Sequence, residues 1–335
     1  MSGQGAYILG CEGLRLTPRE RAFFAEAQPW GFILFARNIE APDQLRALCA
    51  ELREAVGRDA PILIDQEGGR VQRLTPPHWR QWLPPLDQVA RAGAGAERSL
   101  WLRYRLIAAE LRDLGIDVNC APMADIAEPA THPFLKNRCY GEEPETVATL
   151  ARAVSDGLLA GGVLPVLKHV PGHGRATVDS HLDLPTVSES ADELWSHDFT
   201  PFKALGDLPL AMTAHIVYPA FDEAPATLSP RMISLIRQEM GVSGLLMTDD
   251  ISMKALKGGV GDLSAQSIAA GCDVILHCNG EMPEMEAVVA AAGAMTAAAQ
   301  ARADAAIAAR RTPDPIDIDA LEAELSGLLG ETGNV

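Results

Sequence analysis

Along the chain, short apolar runs alternate with longer stretches whose apolar positions recur every three or four residues. Eight short runs stand out: Ala6–Leu9, Gly31–Phe35, Ile62–Ile64, Ile116–Cys120, Val163–Leu167, Leu210–Thr213, Leu245–Thr248 and Val274–Leu276. Several are apolar throughout, the pattern of strands covered on both faces. The stretches between them read as helices. Thr17-Pro18 offers an N-cap, with proline at the first helical position, before Arg19–Gln28. Leu100, Tyr104, Ile107, Leu111 and Leu114 share one face and stop at Gly115, and Glu143–Leu159 repeats the design up to Gly161-Gly162.

Eight strand–helix alternations predict a closed parallel (β/α)8 TIM barrel, with an open doubly wound sheet as the rival. The barrel is expected to occupy residues 1–311. Within it the alanine-rich Ala287–Arg311 reads as one or two helices closing the outer ring. Thr312-Pro313-Asp314-Pro315 then ends the pattern, because two prolines so close together cannot continue a helix. Residues 312–335 are expected to form a short C-terminal helix and a tail, with no second domain.

Composition narrows the function. With 47% hydrophobic and 22% charged residues, the 335-residue chain has an ordinary globular mix. Its net charge of −17 argues against nucleic acid as a partner, since a phosphate backbone would be repelled. No apolar run is long enough to span a membrane, and the start has neither the basic n-region nor the apolar h-region of a secretory signal. Cys11, Cys49, Cys120, Cys139, Cys272 and Cys278 are scattered without a C-x-x-C pair, so buried reduced thiols are expected, and with them a cytoplasmic protein. A monomer is the expected state.

Polar residues crowd the C-terminal ends of the strands, the face where barrel enzymes build their sites. The third strand runs into Asp65-Gln-Glu-Gly-Gly-Arg-Val-Gln-Arg73, and the fifth into Lys168-His-Val-Pro-Gly-His-Gly174. The fourth leads to Asp125 and onward to Lys136-Asn137-Arg138, the sixth ends in His215, and the seventh in Asp249-Asp250. Residues 170–185, with Pro171, Gly172 and Gly174, suit a mobile loop carrying Asp179-Ser180-His181. A carboxylate two residues from a histidine can hydrogen-bond the imidazole and raise its basicity, as acid/base work requires; a surface loop with an Asx turn is the plainer reading of that spacing. For Asp65 the plainer reading is an ion pair with Arg70.

Three segments together resemble the bacterial β-N-acetylglucosaminidases of glycoside hydrolase family 3: Ile64-Asp-Gln-Glu-Gly-Gly-Arg-Val-Gln-Arg73, Lys168–Gly174 with Asp179-Ser-His181, and Thr248-Asp-Asp-Ile-Ser-Met253. The resemblance runs from Ile62 to about Met253 and is closest to the short, single-domain, cytoplasmic members of the cell-wall-recycling type. It implies that Asp249 is the nucleophile and that Asp179 and His181 form the acid/base dyad. It further implies that Asp65, Arg73, Arg138, Lys168 and His169 hold a terminal N-acetylglucosamine (GlcNAc). Val170 departs from the family pattern, where an aromatic is common, and Asn137-Arg138-Cys139-Tyr140-Gly141 departs from an Arg-Ser-Phe-Gly type segment.

The implied reaction is retaining exo-cleavage of β-linked GlcNAc, with GlcNAc–1,6-anhydro-MurNAc muropeptides as the expected substrate. No cofactor or metal is expected. Retaining hydrolysis needs one carboxylate to attack the anomeric carbon and one group to protonate the leaving oxygen and then activate water. His173 and His215 read as loop-ordering or supporting residues. Three alternatives stay open: a metal-dependent amidohydrolase using His169, His173, His181, His215 and Asp249; a non-catalytic sugar-binding barrel; and a phosphorylase variant in which phosphate replaces water.

Overall fold

In the computed structural model, which describes residues 4–176 and 184–330, all eight apolar runs become strands of one closed parallel sheet. The strands are β1 (Gly5–Leu9), β2 (Pro29–Leu34), β3 (Ile62–Ile64), β4 (Val118–Asn119), β5 (Leu164–Val170), β6 (Leu210–Thr213), β7 (Leu245–Asp250) and β8 (Val274–His277). Each pairs with its sequence neighbours, and the ring closes where β1 meets β8 with Ile8 opposite Leu276. The fold is the (β/α)8 barrel expected, and the doubly wound sheet is excluded.

Strand alternation divides the core in two. Ile8, Ile33, Leu63, Val118, Val166, Met212, Met247 and Leu276 point inward and fill the barrel, as side chains must in a ring of eight strands. Their neighbours Leu9, Leu34, Ile64, Leu167, Ala211 and Leu246 point outward against the helices. The helices begin and end where local chemistry dictates. Thr17 and Glu20 form a reciprocal capping box at Pro18–Ala27. Helix Ala96–Asp113 gives way at Gly115, whose φ of +84° favours glycine. Helix Pro144–Ala160 packs so closely on it that a Cβ at Gly157 would lie 2.6 Å from the Trp101 carbonyl oxygen.

The alanine-rich stretch forms two helices, Met282–Ala292 and Ala297–Ala308. A further helix, Ile318–Leu328, returns to the Ala96–Asp113 helix, buries Leu325 and pairs Glu324 with Arg98. All six cysteines are buried and none is in a disulfide. No described helix is long and apolar enough to cross a membrane.

Two strands run further than the apolar pattern predicts. β5 continues through Lys168 and His169 to Val170, and β7 through Asp249 to Asp250. The extension of β5 has a partner, because Met123 bridges to Lys168 and the Lys168 carbonyl accepts from the Ala124 N–H. Conversely, β4 is shorter than the run 116–120. Ile116 is still bonded to the preceding helix at the Leu111 carbonyl, and past Cys120 the Ala121 N–H turns back to the Asn119 carbonyl at 2.8 Å. After β3, residues Gln66–Gly68 and Val71–Gln72 fold back as a two-stranded hairpin over the barrel mouth.

Candidate active site

The strand tips enclose a cavity of about 340 Å³ lined by Asp65, Arg73, Arg138, Lys168, His169 and Asp249, with Arg70, His173 and Asp250 also on its walls. Six of the eight residues expected to form the site are therefore brought together. The other two, Asp179 and His181, lie outside the described residues. Phe35, Phe134, Met212 and Met253 supply the apolar part of the wall, the usual mix of a small-molecule pocket.

The β3 side is a network of paired charges. Lys168 Nζ lies 3.0 Å from Asp65 Oδ1 and 2.5 Å from Glu67 Oε1. Arg73 reaches the other Asp65 oxygen at 2.9 Å, so Asp65 does not take Arg70 as its partner. Arg138 grips Glu67 with both Nε and Nη2 at 2.9 Å, a bidentate geometry. Burial alone would raise the Glu67 carboxyl, but Arg138 and Lys168 override it and hold the group at about 2. Burial also opposes the charge on Asp65, which Lys168 and Arg73 nevertheless hold well below the usual carboxylate range. Lys168, nearly inaccessible, would lose its proton to burial but is held above its ordinary value by Glu67 and Asp65. Asp65, Glu67, Arg138 and Lys168 are therefore ionised at neutral pH. The Glu67 backbone carbonyl is fixed in turn by Arg103 and by the Tyr104 hydroxyl at 3.2 Å.

Glu67 is the residue that sequence reasoning missed. A signal was available: a strand-like stretch puts residues 65 and 67 on one face, so the second acid faces where the first does. Asp125, noted in the sequence at the end of the fourth strand but given no role there, is a second supporting acid. Fully buried, its carboxylate takes the His169 ring at 2.7 Å through Nδ1 and the His173 backbone N–H at 2.6 Å. It thereby fixes how β5 leaves the barrel. The His173 ring nitrogens have no hydrogen-bond partner among the described residues, and burial pushes the ring down to about 4, leaving it neutral.

On β7 the two adjacent acids have different jobs. Asp250 Oδ1 accepts from the Ser252 N–H at 3.2 Å, the Ser252 hydroxyl at 2.9 Å and the Cys278 N–H at 3.2 Å. Asp249 receives one protein bond among the described residues, from the Asp250 N–H to Oδ1 at 2.8 Å. Burial would raise the Asp249 carboxyl, but His169, His215, the Asp250 amide and Lys168 together hold it below its ordinary value. It is an ionised carboxylate with lone pairs to spare.

His215 supports this tip from below. Its Nε2 lies 3.0 Å from the Asp250 carbonyl oxygen, which can only accept, so Nε2 carries the proton. Burial lowers the ring's pKa, and Nδ1 accepts from the Thr227 hydroxyl at 2.8 Å. Both nitrogens are thus engaged by protein. Among the described residues no three His, Cys, Asp or Glu side chains are grouped as a metal site.

A parallel barrel with an ionised, sparsely bonded carboxylate at one strand tip and paired cations opposite has the makings of a barrel hydrolase site. The chain belongs to the glycosyl hydrolase family 3 N-terminal domain family, whose model matches residues 12–310, and it is a glycoside hydrolase. Among curated relatives, the beta-hexosaminidase of Pseudomonas aeruginosa is 38% identical over 284 residues, 82% of this chain and 83% of that one. The beta-hexosaminidase of Methylococcus capsulatus is also 38% identical, over 80% of each chain. Among solved structures, NagZ of Neisseria gonorrhoeae in complex with N-trifluoroacetyl-D-glucosamine is 30% identical. It superposes with a TM-score of 0.85 over 98% of this chain and 99% of that one. A family 3 β-N-acetylglucosaminidase from Paenibacillus sp. gives 29% identity and a TM-score of 0.82, with this chain spanning 62% of that protein.

Proposed function

We propose that the chain is a retaining exo-β-N-acetylglucosaminidase that removes a terminal GlcNAc from small β-linked saccharides, with GlcNAc–1,6-anhydro-MurNAc muropeptides in the cytoplasm as its substrate. The observation that carries the reading is the Asp249 carboxylate, ionised and with one oxygen unused by the described residues, facing a cavity in which Arg73, Arg138 and Lys168 are already paired with acids. Paired cations donate hydrogen bonds to hydroxyls without demanding a charge in return. Asp65 accepts from two sugar hydroxyls while Lys168 and Arg73 hold it in place, and Arg138, His169 and Lys168 complete the ring contacts. The names of the relatives, two beta-hexosaminidases and a NagZ holding an N-acylated glucosamine, agree with a GlcNAc ring in that position.

In the reaction, Asp249 attacks the anomeric carbon as the bond to the leaving oxygen breaks, and His181, paired with Asp179, gives that oxygen its proton. The same imidazole then takes a proton from water, whose oxygen attacks the anomeric carbon and releases Asp249. The test is stereochemical. Proton NMR of the first-formed sugar from an aryl N-acetyl-β-glucosaminide should show the β-anomer before mutarotation. First-formed α-anomer would contradict a glycosyl-enzyme on Asp249.

A further inference from the structure

We infer that Arg70 is a specificity residue for an anionic group on the leaving portion of the substrate. The inference rests on the glycosidase reading above and extends it from the sugar that is held to the group that departs. Four non-histidine cations line the cavity, and three have carboxylate partners: Arg73 has Asp65, Arg138 has Glu67, and Lys168 has both acids. Arg70 is different. It is exposed, and among the described residues no carboxylate lies within ion-pair distance of it. Its guanidinium is held over the Phe134 ring, 5.2 Å from the centroid, which orients the group without neutralising it.

Its position gives that charge a use. Arg70 lines the sugar cavity and also a second cavity of about 400 Å³ beside it, walled by Gly69, Trp82, Pro84 and Asn137. The Gly69 backbone sits so close to Pro84 that a Cβ there would lie 2.9 Å from its Cα. Arg70 therefore stands on the rim shared by the two spaces. With the cleaved ring in the first, the aglycone leaves past this rim, and a carboxylate on it meets the one guanidinium of the cavity that, among the described residues, has no carboxylate partner.

Two aryl N-acetyl-β-glucosaminides test this, one with a 3-carboxylate on the aryl ring and one with the neutral 3-carboxamide. Kinetics are compared for the full chain, R70M and R70K. R70M should lose about tenfold in kcat/KM on the carboxylate and under about twofold on the carboxamide. R70K should recover part of the difference, and added salt should shrink it in the wild type. Equal effects of R70M on the two substrates would overturn the inference while leaving the glycosidase reading intact. Failure of the wild-type protein to cleave either glycoside would instead overturn the glycosidase reading, and this inference with it.

Discussion

On the β3–β5 side of the cavity each acid has cationic partners: Asp65 has Arg73 and Lys168, and Glu67 has Arg138 and Lys168. On the β7 side Asp249 has, among the described residues, a single backbone amide, while its neighbour Asp250 takes the serine hydroxyl and two further amides. The two regions sit a few side chains apart, yet one is saturated and the other is left unsaturated. A saturated network is rigid and binds a neutral ring through directed hydrogen bonds. An unsaturated carboxylate, kept ionised by surrounding positive potential, is what nucleophilic attack requires.

The largest expected effect is on the unsaturated side. Asp249→Ala should reduce turnover on the order of 10⁴-fold with little change in folding stability, whereas Asp250→Ala should cost stability as well. Near-wild-type rates for the Asp249 variant would erase the contrast. On the saturated side, Glu67→Gln leaves Lys168 and Arg138 buried with reduced compensation and should destabilise the fold by about 3–5 kcal/mol, read from urea midpoints. An unchanged midpoint would mean that the network is not structural. His181→Ala should slow substrates with poor leaving groups on the order of 10²-fold more than activated aryl glycosides. An equal loss on both would remove it as the acid.

The smallest effect concerns pH. His173 is pushed down to about 4 from an ordinary value near 6.5, so the unfolded chain takes up its proton first as pH falls. Stability should thus decline from about pH 6.5 toward 4, and more steeply below 4, where the depressed carboxyls of Asp65, Asp249 and Asp125 begin to matter. His173→Gln should make the upper part of that decline shallower, as followed by urea midpoints at pH 7, 5.5 and 4.5. An identical slope would show that the ring is not held neutral.

Much of the fold was legible because barrel strands buried on both faces read as uninterrupted apolar runs. The legibility failed at the tips. Lys168, His169, Asp249 and Asp250 belong to strands but look like loop, because the mouth of the barrel replaces core with functional groups. Asp65, Arg73, Arg138, Lys168, His169 and Asp249 could be named from motifs, but their wiring could not. That Lys168 serves two acids, or that Asp125 holds both His169 and His173, depends on residues 44 to 103 positions apart meeting in space. The difference between Asp249 and Asp250 is equally hidden in sequence, since it depends on Ser252 and on a backbone amide from β8's end.

The most direct measurement is to trap the glycosyl-enzyme with a slow fluorinated N-acetylglucosaminide and map the labelled residue by mass spectrometry. The label should sit on Asp249, within Thr248-Asp-Asp-Ile251. A label on Asp250, or on any residue outside β7, would contradict the division between saturated and unsaturated carboxylates.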